Sequence, residues 1–470
     1  MTKTINRRQS VAWTLIKDAV SGREYDYTSG SIRKAIILLA IPMMLEMSME
    51  SVFAVVDIFF VSHLGKHATS VVGLTESVAT IVYSLAIGMS MAASAMVARR
   101  TGEKNKEGAS EAAAQSLLLS AVITAGISTA GIIFAGDILR WMGAEPGAIR
   151  EGTGYTRIIM GSSFIIMLLF LINGIFRGAG NAMMAMKSLW LANICNIILC
   201  PVLIRGLGPI PALGLSGAAI ATTIGRSVGV AYQCYHLAKG NSMLQLTRQY
   251  FKPVWSVLRS LAGIAWPGTL QFLIGSGSWI VLAGIVARTG HSEASAGYQV
   301  ALRIVMFFIL PAWGMSNAAA TLVGQNLGAQ MPDRARQSVI TTLKYNAVFM
   351  GIVSLVFLLL ADHIILFFSS EPDVQRYAVA AMRIISAGYI FYGIGMVLSS
   401  AFNGAGDTRT PTWINLFGFW LLQVPLAWVL AHIAGWGAYG VFVAIPVAET
   451  AITITYYFIF KKGRWQLVKI

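Results

Sequence analysis

Three carboxylates stand in the first long apolar stretch of the chain, IPMMLEMSMESVFAVVDIFF: Glu46, Glu50 and Asp57. Glu46 and Glu50 are four positions apart, and Glu50 and Asp57 seven, so on a helix all three fall near one stripe. A carboxylate at apolar depth is costly. It is retained where it faces a cavity, meets a partner or carries a proton. Such a cluster suits proton exchange or cation binding. For Glu46 and Glu50 a solvated position near the membrane surface is the competing reading. It is weaker for Asp57, which sits between Val56 and Ile58-Phe59-Phe60.

Other polar side chains interrupt later apolar stretches. Asn173, Asn193, Asn196, Thr222 and Thr223 lie in the first half of the chain, and Gln271, Gln299, Arg303, Asn415, Gln423 and Glu449 in the second. Asn and Thr at such depth join helices more often than they hold ligands. Met43, Met44, Met47 and Met49 surround the acids. Methionine suits an adaptable apolar cavity, and equally it fills a membrane core. Pro42 and Pro267 each lie inside an apolar run. Either proline removes a backbone bond and predicts a kink, as a moving hinge or a static bend. No phosphate-binding Gly-x-x-x-x-Gly-Lys-[Ser/Thr] loop and no His-Glu-x-x-His motif is present, and the six histidines are scattered. A membrane-embedded enzyme would need a clustered nucleophile and base, which the chain does not offer. Driving energy is therefore expected from an ion gradient.

The elements that must position these groups follow from composition. The chain is 56% hydrophobic and 12% charged, with a mean hydropathy of +0.67. Soluble domains carry about 25% charge. Apolar runs at 35–62, 69–97, 113–136, 156–176, 187–205, 213–237, 260–287, 294–322, 338–361, 379–402, 411–433 and 437–460 read as twelve membrane-spanning helices. The net charge of +15 sits at the ends of those runs rather than on one soluble face, which argues against a nucleic-acid partner. Cys195, Cys200 and Cys234 lie in apolar surroundings without metal-ligand spacing. The segment before the first span contains Lys3, Arg7, Arg8, Lys17 and Arg23 but no cleavable signal core, so the first span is expected to act as the targeting signal.

The chain also repeats itself. Val97 and Gly102 recur as Val323 and Gly328, Glu145-Pro146 as Glu371-Pro372, and Phe176 with Gly178-Ala179-Gly180 as Phe402 with Gly404-Ala405-Gly406, each 226 residues on. Six spans therefore belong to each half, with both halves in the same orientation. The expected fold class is an all-α membrane protein, twelve transmembrane helices in two pseudo-symmetric six-helix bundles. Its expected divisions are a tail at 1–30, an N-lobe at 31–238, a linker at 239–259, a C-lobe at 260–460 and a tail at 461–470. Lys and Arg concentrate in alternate loops, which predicts that both termini are cytoplasmic. At the repeat offset Glu46 falls opposite Gln271, Glu50 opposite Gly275 and Asp57 opposite Leu282, so the first-span acids occur in one half only. Ion coupling is placed in that half. Arg226 and Glu449 are equivalent positions of opposite charge.

Taken together, Pro42 with Val56-Asp57-Ile58-Phe59-Phe60-Val61 and Leu64-Gly65, Phe176-Arg177-Gly178-Ala179-Gly180-Asn181, Leu322-Val323-Gly324-Gln325-Asn326-Leu327-Gly328-Ala329 and Phe402-Asn403-Gly404-Ala405-Gly406-Asp407-Thr408 resemble the multidrug and toxic compound extrusion (MATE) family, in its prokaryotic DinF-like branch. The likeness covers about residues 32–460. It implies a twelve-helix antiporter that expels small organic cations or amphipathic compounds in exchange for H⁺ or Na⁺ by alternating access, with no other cofactor. It also implies a coupling site around Asp57, with Asn173 and Asn196 at matching positions and Thr222 a looser match. The chain departs from the family where Cys200-Pro201 replaces an Asp-Pro, and where Glu50 replaces a neutral residue, often Gln. Glu50, with Glu46, is expected to supply the displaced charge. Sodium near Asp57 is the only metal expected, and the thiol makes it less suited. The expected substrate cavity includes Met47, Gln271, Gln299 and Glu449, and the expected setting is the cytoplasmic (inner) membrane, as a monomer. A flippase for lipid-linked precursors is the alternative, with Arg226 and Arg303 holding phosphates.

Overall fold

The computed structural model describes residues 16–22, 25–209, 211–239, 244–289 and 291–470. Lys3, Arg7, Arg8 and Arg23 of the basic tail lie outside them, as do residues 240–243 of the linker. The described chain is helical. The N-lobe comprises α1 (Ile32–Ser62), α2 (Lys66–Gly102), α3 (Lys106–Ile133), the short α4 (Ala135–Trp141), α5 (Pro146–Gly161), α6 (Ser163–Gly178), α7 (Ala182–Arg205) and α8 (Gly214–Lys239). The C-lobe comprises α9 (Trp255–Thr289), α10 (His291–Gly328), α11 (Pro332–Leu366), α12 (Pro372–Ala387), α13 (Tyr389–Ala405), α14 (Arg409–Ile433) and α15 (Ala438–Lys461).

Among the described residues ten runs are long and apolar enough to cross a bilayer, with α5–α6 counted as one. The pair α12–α13, bent by 53°, makes an eleventh. The twelfth expected span is α8, a 26-residue helix with the buried Arg226 in its middle. It packs closely on α7, where Gly225 meets the Ala192 carbonyl. The duplication is visible in the backbone. Lys104 and Gln330, 226 apart, both adopt left-handed conformations (φ 59° and 60°) in the turns after α2 and α10.

Helices overrun the apolar limits at the end bearing these two turns. Helix α2 runs to Gly102 and α10 to Gly328, five and six residues past the apolar limits at 97 and 322. Apolarity reports where lipid stops, whereas the helix continues until a cap replaces its backbone bonds. Asn105 supplies such a cap to α3, accepting from the Gly108 amide at 2.8 Å. Some buried hydroxyls are satisfied within their own helices, as Thr124 and Ser316 are by carbonyls one turn back, and others join helices, as Ser354 does by donating to the Ser386 carbonyl. The described linker lies along α3: Gln115 donates to the Tyr250 and Lys252 carbonyls and accepts from the Val254 amide.

The apolar cores show how the lobes meet. Near the Lys104 and Gln330 turns the cores cross between lobes. Leu261, Ile264 and Ala265 of α9 join the core of α2, α3 and α6, while the first half of α1 packs with Met315, Ala318 and Leu322 of α10. Away from that end each core belongs to one lobe. The two bundles thus form a V, closed at the Lys104 end and parted at the other.

Candidate coupling site and C-lobe cavity

Asp57 lies in the parted half of the N-lobe. Its Oδ1 is buried without a hydrogen-bond partner. The cation nearest in character is Arg226 of α8, 7% exposed, which is in electrostatic range of Asp57 and Glu50. Its guanidinium also lies over the rings of Phe53 (5.9 Å) and Tyr83 (5.4 Å). Glu50 accepts from Asn193 Nδ2 at 3.4 Å. Asn196 donates to Thr222 Oγ1 at 2.9 Å, one turn from the buried Cys200, whose thiol feels the charge of Asp57. Asp57, Glu50, Asn196 and Thr222 are thus gathered on α1, α7 and α8 of one lobe.

Glu46 and Asn173 belong to a different group. Glu46, 1% exposed, accepts from Arg177 Nη1 at 2.7 Å and from Asn173 Nδ2 at 3.1 Å. Asn173 in turn accepts from Ser188, and Arg177 Nη2 donates to Ser90 at 3.1 Å. This network sits nearer the closed end and carries its own counter-ion.

One acid of the site escaped the sequence reading. Glu76 of α2 stands at the accessible wall of the V, in electrostatic range of Asp57, Arg226 and Arg303, the last from the opposite lobe. A signal for it existed: Glu76 is the only Asp, Glu, Lys or Arg within the apolar run 69–97.

The substrate-cavity candidates separate. A cavity of about 360 Å³ lies in the C-lobe, lined among others by Gln271, Phe272, Trp279, Trp313, Tyr392 and Glu449. Met47 lines a smaller space of about 60 Å³ between the lobes, with Arg177, Trp313 and Asn403. The two share Met91, Trp313, Ser400 and Asn403. Gln299 lies exposed on α10, outside both linings. Pro42 and Pro267 lie inside unbroken helical runs, and Thr412 Oγ1 donates to the Pro267 carbonyl at 2.8 Å.

The repeated glycine motifs are accounted for by backbone geometry. Gly180 and Gly406 adopt φ of +85° and +89° to end α6 and α13, which a side chain would strain. Asn181 and Asp407 then accept from the amides of Met184 and Thr410.

The chain is 26% identical to the probable multidrug resistance protein YoeA of Bacillus subtilis over 440 residues, 92% of this chain and 95% of that protein. It is 27% identical to an FAD transporter of Shewanella oneidensis over 431 residues, 92% of this chain and 95% of the relative. A solved structure described as the outward-facing conformation of a multidrug resistance MATE family transporter superposes with a TM-score of 0.88 at 28% identity, covering 94% of this chain and 98% of the other. The MatE family model matches residues 42–202 and 267–429, the two halves in which the duplication, the glycine turns and the V-shaped pair of bundles were found, and the chain therefore belongs to the MatE family of membrane transporters.

Proposed function

We propose that the protein is an ion-coupled antiporter that exports small amphipathic compounds across the cytoplasmic membrane by alternating access, acting as a monomer with both termini in the cytoplasm. The observation that carries this reading is the charge imbalance in the N-lobe. Three acids, Glu50, Asp57 and Glu76, lie in electrostatic range of Arg226, only Glu76 also feels Arg303, and Asp57 Oδ1 is buried without a partner. A buried site with excess negative charge must take up a proton or a cation. In this reading Asp57 and Glu50 bind the coupling ion, and the Asn196–Thr222 pair orients them. Glu46 is neutralised by Arg177 and holds the closed end. Arg303 on the C-lobe feels Glu76 across the cleft. Neutralising the acid cluster weakens that attraction, so ion occupancy changes the energy difference between the open and closed V. The Cys200 thiol beside Asp57 is a poor ligand for sodium, which supports the proton. With the Lys104 end placed in the cytoplasm by its basic loops, the cleft faces outward.

The test is efflux of a fluorescent amphipathic dye from proteoliposomes. Efflux driven by an imposed pH gradient, and lost in Asp57→Asn, supports proton coupling. Efflux driven by sodium alone reassigns the ion, and efflux that Asp57→Asn leaves intact removes the site.

A further inference from the structure

Helix α8 lies directly on α7 at Gly229, where a Cβ would stand 2.9 Å from the Ser188 carbonyl oxygen. The contact sets two basic turns side by side at the closed end of the V. Lys187 of α7 and Lys239 of α8 are exposed. Both lie in electrostatic range of His236, and among the described residues no carboxylate does. Asp18, packed with Met183 one turn before Lys187, makes no ion pair with either lysine, and neither lysine has one elsewhere among the described residues. Rings fill the space between the charges. Lys239 Nζ stands 5.9 Å from the centre of the exposed Tyr235 ring, and the His236 ring meets those of Tyr232 and Tyr235 at 4.6 and 5.3 Å. The free carbonyls at the end of α8 account for His236 and Lys239, which stand in its last turn. They do not account for Lys187, the sixth residue of α7, which gains nothing from its own helix. From this cluster two apolar stripes run outward along the lobe. Leu191, Ile194 and Ile198 continue the exposed face of Lys187 at helical spacing, and Ile224 continues that of Tyr235.

We infer that this face of α7 and α8 binds an anionic glycerophospholipid, with its phosphate among Lys187, His236 and Lys239 and its acyl chains along the two stripes. Basic clusters between helices at the cytoplasmic boundary draw anionic headgroups, and the closed end is the one taken above as cytoplasmic. Tyrosine rings belong at headgroup depth, with their apolar bodies toward the chains. The stripes commit the occupant to a lipid, because a free phosphate would leave them without a role. The buried side of the same two turns faces the Glu46 network. Gln233 Nε2 donates to Ser188 Oγ at 3.0 Å, and Ser188 donates to Asn173 Oδ1 at 2.9 Å. A bound headgroup therefore braces α7 and α8 directly behind that network. The inference goes beyond export and requires neither a substrate nor a coupling ion.

The test uses the full chain in phosphatidylcholine nanodiscs containing a small fraction of phosphatidylglycerol with a photoactivatable diazirine near its headgroup. Cross-linked peptides are mapped by mass spectrometry, with labelling at Trp255–Arg259 of α9 as the reference. Label is expected on 187–191 and 232–239, and photoactivatable phosphatidylcholine is expected to give little there. Lys187→Gln and Lys239→Gln are each expected to lower the label roughly fivefold relative to the reference, and the double variant further. Both side chains are exposed, so the variants retain the fold. Equal labelling by the two lipids, or wild-type labelling of the double variant, overturns the assignment. Displacement by excess inorganic phosphate, but not by chloride at the same ionic strength, would make this a site for a free anion and would overturn the lipid as its occupant.

Discussion

Asp57 and Glu50 depend on one guanidinium, so removing either charge changes the balance that holds the coupling ion. Asp57→Asn and Glu50→Gln are each expected to lower pH-gradient-driven efflux on the order of tenfold; normal coupling in Glu50→Gln would show that Glu50 does not replace the acid displaced by Cys200. Glu46 behaves differently because its charge is already met. Arg177→Met leaves a buried carboxylate unpaired and is expected to destabilise the protein by about 3–5 kcal/mol, read as a lowered thermal midpoint. Glu46→Gln combined with Arg177→Met should recover most of that loss. The duplication offers a precedent, since the equivalent pair in the C-lobe is neutral: Gln271 with Asn403. Unchanged stability in Arg177→Met would mean that the pair is solvated and structurally idle.

At the scale of elements, α2 and α10 touch where both lack a side chain. A Cβ on Gly102 would stand 1.9 Å from the Gln325 carbonyl oxygen, and one on Gly328 2.1 Å from that of Arg99. The contact is reciprocal, as the repeat requires. Gly328→Leu therefore cannot be accommodated without separating the two helix ends. Expected outcomes are a folded protein with accelerated labelling of a cysteine introduced at Asn317, which lines the space between the lobes, and impaired efflux. Labelling at the wild-type rate would place the closure elsewhere. The element ends were the least legible part of the fold. Apolar length located twelve spans, but α9 begins at Trp255, five residues before the expected 260, because Trp255–Arg259 is helical outside the apolar run.

Across the whole molecule, both terminal segments bridge the lobes at the closed end. Arg99 of the N-lobe donates to the Ala405 carbonyl (3.2 Å) and to Val468 in the C-terminal tail (3.0 Å), and Gln325 of the C-lobe donates to Gly178 (3.0 Å). Arg334 holds the N-terminal segment through the carbonyls of Tyr27, Ser29 and Gly30. Ile470 packs against the N-lobe core, and Trp465 is buried on Phe460. Hydrogen bonds to charged groups contribute about 1.5–3 kcal/mol each, so Arg99→Ala with deletion of residues 464–470 is expected to shift the population toward the state open at this end. A Glu76→Cys, Arg303→Cys pair reports it: disulfide formation across the opposite mouth should rise roughly tenfold or more. Equal cross-linking in the intact and truncated chains would show that the tails do not contribute to the closure.

Composition and repetition alone determined the membrane class, the twelve spans, the two similar lobes and the isolation of the first-span acids, because each leaves a periodic or local mark on the chain. Only the tertiary structure decided the partners. It divided the three first-span acids between two networks, set Arg226 among acids and left Glu449 without a counter-ion among the described residues, and brought Glu76 of the second span into range of Asp57. Electrostatic energy depends on distance through space, and residues such as Asp57 and Arg226, 169 positions apart in the chain, become neighbours only when helices pack.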